Sequence, residues 1–389
     1  MRRCDETGAE RIGFIVGNLD PAGTPEGDTA MSSIPFETLR PHLEDQRILL
    51  VGGAGFIGHN LALELSRMGA TVGICDNLMV NSLIENCYEP GRNVVQRTAY
   101  QNFLLDRFLL LRENGVMLMN SDARLLADLG RVFEAFQPTK VVHMAAIASA
   151  VDAKAEPGLA FDLQLITLRN VLELVRPKVK DINQVMFMSS STVYGDFEGA
   201  SVDETTFPRP EGIYANAKFM GERLVRTYRT QYGLGTTVIR PSALYGERCI
   251  SRRVSQVFIE NALTGKPLLL EGGGDGRLDF TYINDLVQGM VRALALHKGH
   301  DDSSTYNITF GNARTIADLA AVVKSVVPNA ILEDRPRAVD KPIRGTLSIA
   351  RAQEKLGFEP EWTLEQGFKR YCEWYADQWH RAQMQVEAN

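Results

Sequence analysis

The chain lacks several features that would place it in a membrane, on a nucleic acid or among disulfide-rich secreted proteins. None of its apolar runs approaches the roughly 18 consecutive residues that a membrane-spanning helix needs. Its 42 Lys and Arg are outnumbered by 48 Asp and Glu, the net charge is −6, and no basic block stands out. This excludes nucleic acid as the expected partner. The five cysteines are odd in number and share no metal-like spacing, which predicts reduced cytoplasmic thiols and no metal site.

What the chain does contain is an apolar run that stops at a glycine-rich turn. Residues 48–51 are all apolar, which is typical of a buried parallel strand. Gly52, Gly55 and Gly58 follow at a step of three, and apolar residues then recur at helical spacing from Ile57. Such a turn suits a pyrophosphate, because backbone N–H groups and the helix dipole meet the anion where no side chain intervenes. The turn predicts a dinucleotide site.

An acidic residue follows at the distance expected for a ribose contact. Residues 71–75 are typical of a second strand and end at Asp76, 24 positions after Gly52. A ribose-binding carboxylate is expected about 20 residues after the turn. Because such a carboxylate accepts from the ribose 2′-OH and repels a 2′-phosphate, the sequence favours NAD over NADP.

Strands and helices alternate along most of the chain, which predicts an α/β fold with a Rossmann-type, doubly wound parallel sheet. We expect an NAD-binding domain over residues 46–240. Residues 241–380 should form mainly a smaller C-terminal α/β substrate-binding lobe, with some elements returning to the first domain. Residues 1–45 have no signal-peptide apolar core and are expected to be a loosely ordered extension with a short helix near 36–43. Residues 381–389 are expected to be a tail.

A long excursion separates Asp76 from the third predicted strand at 116–119. It covers residues 77–115, and its second half has helical spacing, with apolar residues such as Phe103 and Phe108. Two interpretations stay open. The insertion either elaborates the packing or forms a lid over the cofactor or substrate.

Further candidates follow the third and fourth strands. Asp122 can be a helix N-cap, a partner of the adenine amino group, or both. Ala145 and Ala146 are small enough to let the backbone run close to a flat cofactor. His143 ends the fourth strand, and because a lone histidine is more often structural, we assign it no chemistry.

A cluster of hydroxyls and a Tyr–Lys pair provide the candidate chemistry. Residues 189–191 are three serines at the carboxyl end of the fifth strand, where they should face the crevice. Tyr214 and Lys218 lie four apart and so share one helix face. A nearby ammonium is expected to lower the phenol pKa from about 10 and make Tyr214 a general base for a substrate hydroxyl. A serine hydroxyl would hydrogen-bond the same substrate oxygen.

Several motifs in this order resemble the extended short-chain dehydrogenase/reductase superfamily, in its NAD-dependent nucleotide-sugar epimerase/dehydratase branch, and look like UDP-glucose 4-epimerases. The resemblance covers residues 47–378. The motifs are VGGAGFIG (51–58), DN (76–77), HMAA (143–146), SSSTVYG (189–195), YANAK (214–218), RPSALYG (240–246) and LDFTYINDL (278–286).

The resemblance implies a tightly held NAD, a nucleotide-diphosphate sugar as substrate and a set of site residues. The catalytic set is Tyr214, Lys218 and Ser190, with Ser191 as the alternative serine. Ser191 and Thr192 would also contact the substrate. The implied cofactor contacts are Gly52, Gly55, Phe56, Ile57, Gly58, Asp76, Asn77, Asp122, Ala123, Ala145, Ala146, Tyr214 and Lys218.

The resemblance also implies a shared first step, in which Tyr214 takes the proton of the sugar C4 hydroxyl and a 4-keto sugar forms. Dehydratases of this branch carry an acid just before the Val-Tyr-Gly, where this chain has Ser191 and Thr192. We therefore predict an epimerase that inverts C4. The alternatives are a dehydratase or dehydrogenase/reductase, and a non-catalytic dinucleotide-binding regulator. Such regulators commonly lose the Tyr or the Lys, and this chain keeps both.

Two departures from the family pattern concern the substrate phosphates. Ala243 stands where many relatives have an Asn, and Leu278 stands where they have an Arg. The diphosphate is therefore expected to contact Arg248, Arg277 and Arg337, since a guanidinium donates two bonds at once. For each of these arginines, a surface salt bridge is the alternative.

The helices predicted at 157–175 and 213–232 resemble those that pair across a homodimer in this superfamily. Phe161, Leu165 and Leu168 begin an apolar stripe on the first of them, which Leu172 continues. We expect a homodimer, although core packing alone could explain the stripe.

Overall fold

The structure is a computed structural model that describes residues 34–80, 82–83, 92–147, 149–296, 304–337 and 342–388. We expected residues 1–33 to be loosely ordered, and these residues lie outside the described ranges.

A seven-stranded parallel sheet forms the centre of the molecule. Its strands are β1 (Arg47–Val51), β2 (Thr71–Asp76), β3 (Met117–Asn120), β4 (Lys140–His143), β5 (Gln184–Met188), β6 (Thr236–Arg240) and β7 (Thr305–Asn307). Their spatial order is β7-β6-β5-β4-β1-β2-β3, and every neighbouring pair is parallel. The order reverses between β1 and β4, and ligands of such sheets bind at this switch point. The predicted Rossmann-type fold is confirmed.

Helices cover both faces of this sheet and continue through the residues after β6. They are α1 (Phe56–Arg67), α2 (Val94–Glu113), α3 (Leu126–Phe136), α4 (Ala150–Ala155), α5 (Pro157–Phe161, a π-helical turn at Asp162–Ile166, and Thr167–Val175), α6 (Gly212–Tyr232), α7 (Val254–Leu263), α8 (Ile283–Leu296), α9 (Ile316–Val326), α10 (Ala350–Leu356) and α11 (a π-helical turn at Leu364–Phe368, and Lys369–Glu387).

The core lies on both sides of the sheet because side chains alternate along each strand. In β1, Ile48 and Leu50 join one buried cluster, whereas Leu49 and Val51 join the other. The first cluster also includes residues after β6, such as Phe280 and Leu286. Outside the large sheet, short two-stranded pairings join Leu244–Tyr245 to Thr281–Tyr282, Leu268–Glu271 to Leu332–Arg335, Arg277–Leu278 to Arg314–Thr315, and Ser201–Val202 to Thr346–Leu347.

The helix inside the 77–115 insertion is α2, and it packs against the body of the protein. It starts after Asn93, whose side-chain oxygen accepts from the Gln96 N–H at 2.7 Å. The ring centroid of Phe103 lies 4.8 Å from that of Trp374 and 5.5 Å from that of Tyr375, both in α11. For α2, the structure therefore supports the interpretation that the insertion elaborates the packing, and not the interpretation that it forms a lid.

Both ends of the described chain are more ordered than the sequence predicted. The expected short helix is present as a 3₁₀-helix, Phe36–His42, and Leu39 is fully buried, so residues 34–45 belong to the fold. The tail expected at 381–389 is instead mostly helix, because α11 continues to Glu387. Trp379 and Ala382 extend its buried face, and Asn102 of α2 donates to Gln385 at 2.9 Å.

Three other expectations concern absences. No helix in the described ranges is both long and apolar enough to cross a membrane. Among the described residues, no group of three or more His, Cys, Asp or Glu side chains could hold a metal ion. Cys75, Cys249 and Cys372 are buried free thiols, and the other two cysteines lie outside the described residues.

Candidate active site

The turn between β1 and α1 is built from close backbone contacts. Gly52 has φ of +78°, and a Cβ there would lie 2.4 Å from the backbone nitrogen of Ala145. A Cβ on Gly58 would lie 2.3 Å from the carbonyl oxygen of Gly53. The first turn of α1 can therefore pack onto the preceding loop only because these positions are glycines. Gly53, whose carbonyl lies against Gly58, is not one of the three glycines spaced three residues apart. The sequence therefore did not predict its role in this turn.

The N-terminus of α1 faces outward from this turn. Gly55 is the N-cap residue and has no side-chain oxygen to offer the first-turn N–H groups. Phe56 and Ile57 begin the helix, so their backbone groups are among the donors without an intrahelical partner. Such donors and the positive end of the helix dipole suit an anion.

Asp76 ends β2 directly beside the turn. One carboxylate oxygen accepts from the Ala54 N–H at 2.9 Å and the other from the Leu78 N–H at 2.8 Å. Burial raises the pKa of the Asp76 carboxyl, whereas these two N–H groups and the charge of Arg107 lower it. A carboxylate oxygen has two lone pairs, so each oxygen can accept a further bond from a ribose hydroxyl.

Asn77 and Asp122 meet at the ends of β2 and β3. The Asn77 side chain donates to the Asp122 carboxylate at 3.3 Å. Asp122 also accepts from the backbone N–H of Arg124 at 2.9 Å and pairs with its guanidinium at 2.6 Å, and this pairing lowers the pKa of the Asp122 carboxyl. The predicted N-cap role is wrong, because Asp122 closes a local turn and α3 begins only at Leu126. The adenine contact stays a prediction.

The end of β4 is tied to the same turn. The backbone N–H groups of Met144 and Ala145 both donate to the carbonyl of Val51, at 2.8 and 3.0 Å. Ala145 and Ala146 are half-buried. His143 is fully buried, and its Nε2 lies 2.8 Å from the Thr167 hydroxyl. Burial, helped by the charge of Lys218, lowers the pKa of His143 to about 3. A neutral, buried imidazole fits the structural role predicted for His143.

His143 should make the protein sensitive to mild acid. Between pH 6.5 and 3 the unfolded chain binds a proton that the folded chain does not, so stability falls as the pH falls. From pH 7 to pH 5 this single group should cost about 2 kcal/mol. We expect His143→Gln to remove that part of the loss, as measured by urea unfolding at both pH values. Equal losses in the two proteins would contradict this.

Ser190, Tyr214 and Lys218 come together where β5 meets α6. The Ser190 side chain acts on the Tyr214 phenol and lowers its pKa against the effect of burial, and the Ser190 hydroxyl accepts from the Thr192 N–H at 3.2 Å and hydroxyl at 3.0 Å. The Lys218 ammonium lies 5.8 Å from the centroid of the Tyr214 ring and donates to the carbonyl of Met188 at 2.7 Å. Ser190, rather than Ser191, is thus the serine whose side chain acts on the phenol pKa.

The structure corrects the expected effect of Lys218 on Tyr214. Burial raises the pKa of the Tyr214 phenol, and the cation that most opposes this is Arg253 at the start of α7. Burial also lowers the pKa of Lys218 to about 7, and its ammonium is directed at a carbonyl. The prediction that the phenol pKa is lowered is therefore wrong, because burial outweighs the groups that oppose it. In the sequence, the consecutive arginines Arg252 and Arg253 are the feature that could have indicated a cation near Tyr214.

The sequence matches the NAD dependent epimerase/dehydratase family over residues 48–309. The chain belongs to this family. It is 26% identical to UDP-glucuronate 4-epimerase 2 of Arabidopsis thaliana, over 88% of this chain and 78% of that protein. It is 27% identical to dTDP-glucose 4,6-dehydratase of Salmonella typhimurium, over 85% and 92% of the two chains. The crystal structure of Thermus thermophilus UDP-glucose 4-epimerase in complex with NAD superposes with a TM-score of 0.69, at 26% identity, over 85% and 98% of the two chains.

NAD is the cofactor of this epimerase/dehydratase family, which confirms the prediction from the sequence. The residues present fit that cofactor. The uncapped N-terminus of α1 suits the pyrophosphate. The Asp76 carboxylate suits a ribose hydroxyl, and a neutral 2′-OH rather than a 2′-phosphate.

A buried ion pair is hydrogen-bonded to side chains of the SSSTVYG motif, residues 189–195. The sequence did not predict this pair. Arg240, the last residue of β6, pairs with Glu222 of α6 at 2.6 Å, and both side chains are less than one-tenth exposed. Glu222 also accepts from the Ser189 hydroxyl at 2.5 Å. Arg240 donates to the Tyr194 hydroxyl at 2.9 Å, which in turn donates to Asn307 of β7 at 2.8 Å. Both ends of the SSSTVYG motif are thereby fixed.

The three arginines expected at the substrate diphosphate have three different partners. Arg248 donates to the imidazole of His59 at 3.2 Å. Arg277 donates to the carbonyl of Ala313 at 2.9 Å. Arg337 pairs with Asp275 at 3.3 Å on the surface, which matches the salt-bridge alternative. The phosphate contacts of these residues in this family member stay predictions.

Proposed function

We propose that the protein is an NAD-dependent nucleotide-sugar epimerase that inverts C4 through a transient 4-keto sugar. One observation carries the proposal. The Tyr214 phenol lies one helical turn from Lys218, the Ser190 side chain acts on it, and the neighbouring positions 191 and 192 are hydroxyls and not acids.

Each residue has a distinct role in this proposal. Tyr214 takes the proton of the sugar C4 hydroxyl and later returns it. Ser190 donates to the same sugar oxygen and holds it as its charge changes. Lys218, which donates to the Met188 carbonyl one helical turn from Tyr214, contacts the cofactor. NAD, which the glycine turn and Asp76 would hold, would supply a reversible hydride acceptor for C4.

The acid–base inventory favours epimerisation over dehydration. Elimination of water across C5 and C6 needs a second proton donor or acceptor beside the sugar. In the described part of the chain, the Ser190 hydroxyl accepts from Thr192, and no carboxylate is hydrogen-bonded to the side chain of Ser190, Thr192 or Tyr214. Glu222 is close in sequence but is buried against Arg240. Epimerisation needs nothing further, since the proton and hydride both return to the same sugar.

The substrate can be found with a panel of UDP-, GDP-, CDP- and dTDP-sugars. We expect NMR to show inversion at C4 of one of them without added NAD and without any divalent metal. Accumulation of a 4-keto sugar would favour a dehydratase, and a stoichiometric demand for NAD would favour a dehydrogenase. An unchanged panel beside protein that retains NAD would support the non-catalytic alternative.

We also propose a homodimer that pairs through α5 and α6. The predicted stripe on α5 is divided, because Leu168 and Leu172 are fully buried in the core of this chain, whereas Phe161 and Leu165 stay half-buried. Met220 of α6 is 47% exposed. Sedimentation equilibrium should give twice the mass of the chain, and Met220→Glu should reduce it to a single chain.

A further inference from the structure

The loop that enters α7 is held in a strained conformation. This arginine loop, residues 246–253, follows the short strand Leu244–Tyr245 and ends at the N-cap residue Arg253. Arg248 and Arg252 have φ of +64° and +47°. Left-handed backbone at residues other than glycine is unfavourable and persists only where the surroundings impose it. Something in the fold must therefore hold this loop.

The insertion helix α2 holds the front of the arginine loop. Arg107 is fully buried, and its guanidinium donates to the carbonyl of Arg248 at 2.5 Å. Arg248 in turn donates to His59 of α1 at 3.2 Å, and the other nitrogen of that imidazole lies 2.9 Å from the Gly55 carbonyl. A continuous set of hydrogen bonds thus joins the insertion, the arginine loop and the glycine turn of the NAD site.

The same helix holds the rear of the loop. Tyr100 of α2 donates to the buried carboxylate of Glu260 at 2.5 Å and accepts from the Gln256 amide at 2.6 Å. The side-chain oxygen of Gln256 accepts from the backbone N–H of Arg252 at 3.0 Å. Gln96 of α2 adds a 2.7 Å bond to Glu260. Both left-handed residues of the loop are therefore fixed, directly or through one side chain, by α2.

The arginine loop ends in a cation at the N-cap position of α7. Arg253 is its last residue, its side chain is exposed, and its charge acts on the Tyr214 phenol. We propose that the insertion is a positioning element: Arg107 and Tyr100 set the arginine loop so that Arg253 faces Tyr214 and the anionic substrate. The proposal rests on the epimerase function for its kinetic consequences, but its structural part can be tested without turnover.

The test measures the pKa of Tyr214 in NAD-loaded protein without substrate. The protein carries [ζ-¹³C]tyrosine, and the Tyr214 resonance is the one missing from Tyr214→Phe. Removing a nearby cation raises the pKa of a phenol, so Arg253→Gln should raise it by roughly 0.5 to 1. Arg107→Met should raise it in the same direction, because the loop loses its support. In the Arg253→Gln background, Arg107→Met should add no further rise.

Leu111→Ala is the matched control, since Leu111 is a buried residue of α2 that packs in the apolar core. It should lower stability and leave the Tyr214 pKa unchanged. Should Arg107→Met not fold, Tyr100→Phe keeps the ring, loses only the hydroxyl at the rear of the loop, and should show the same upward shift. Shifts that add in the double variant, or no shift in either α2 variant, would overturn the proposal. Absence of sugar turnover with these shifts intact would overturn the epimerase function alone.

Discussion

Tyr214→Phe should lower kcat for sugar-nucleotide conversion by roughly 100- to 10,000-fold, the range that one positioned acid–base group contributes. The change removes only the oxygen that accepts the C4 proton. Ser190 can still hydrogen-bond the sugar, and the contacts between the ring and its buried neighbours stay in place. Because the proposed cofactor contacts at Gly52, Gly55 and Asp76 are untouched, the variant should keep its NAD. A loss of turnover with full cofactor content separates acid–base chemistry from folding.

The matched control is Tyr232→Phe, at the C-terminal end of the same helix, where the side chain is 43% exposed. It makes the same chemical change on α6 and should leave kcat within twofold. The measurement is C4 inversion followed by NMR on the substrate identified in the panel, with bound NAD determined after denaturation. Turnover by Tyr214→Phe above one-tenth of wild type would mean that another group takes the proton.

The pH dependence of the reaction follows from the direction of the phenol pKa. Burial raises the pKa of Tyr214, and the reactive form is the phenolate, so kcat should rise with pH. Arg253→Gln should move this rise to higher pH, since the charge that opposes burial is lost. If the pH dependence of kcat, measured at saturating substrate, were the same in Arg253→Gln as in the wild type, Arg253 would not affect the pKa of Tyr214.

The parts of the site that the sequence predicted are those built from neighbours along the chain. The glycine turn, the acid at the end of β2 and the Tyr–Lys pair each depend on one helix or one strand end, whose period fixes where side chains point. Spacing is enough to place Gly58 on the inner face of α1 and Lys218 one turn after Tyr214. The doubly wound sheet follows from the alternation of these units.

What the sequence could not show depends on contacts between distant segments. Spacing puts Lys218 near Tyr214, but only the packed structure shows its ammonium bound to the Met188 carbonyl and Arg253 as the cation that acts on the phenol. The insertion at 77–115 has no internal pattern that separates a lid from a packing helix. Its role appears only where Arg107 reaches a carbonyl 141 residues later.

The buried pair of Glu222 and Arg240 provides the largest expected effect on stability. Glu222→Ala leaves the Arg240 guanidinium buried without a carboxylate, and breaking such a pair on one side typically costs about 3–5 kcal/mol. The Ser189 hydroxyl also loses its acceptor, so Ser190 beside it should lose its fixed position. We therefore expect both a lower free energy of unfolding and a lower kcat. Replacing both charges, in Glu222→Leu/Arg240→Met, should recover most of the stability, because no unpaired charge remains.

Chemical unfolding in saturating NAD measures the first effect. With Glu222→Leu and Arg240→Met also measured singly, a double-mutant cycle isolates the coupling between the two side chains. The matched control is Glu373→Ala in α11, which breaks a pair whose side chains are both more than half exposed, and it should cost less than about 1 kcal/mol. The double variant should unfold at a higher denaturant concentration than Glu222→Ala. Its kcat should still be low, because the Ser189 hydroxyl has lost the Glu222 carboxylate that accepts its hydrogen bond. If Glu222→Ala were as stable as Glu373→Ala, the ion pair beneath the serines would not be what fixes them.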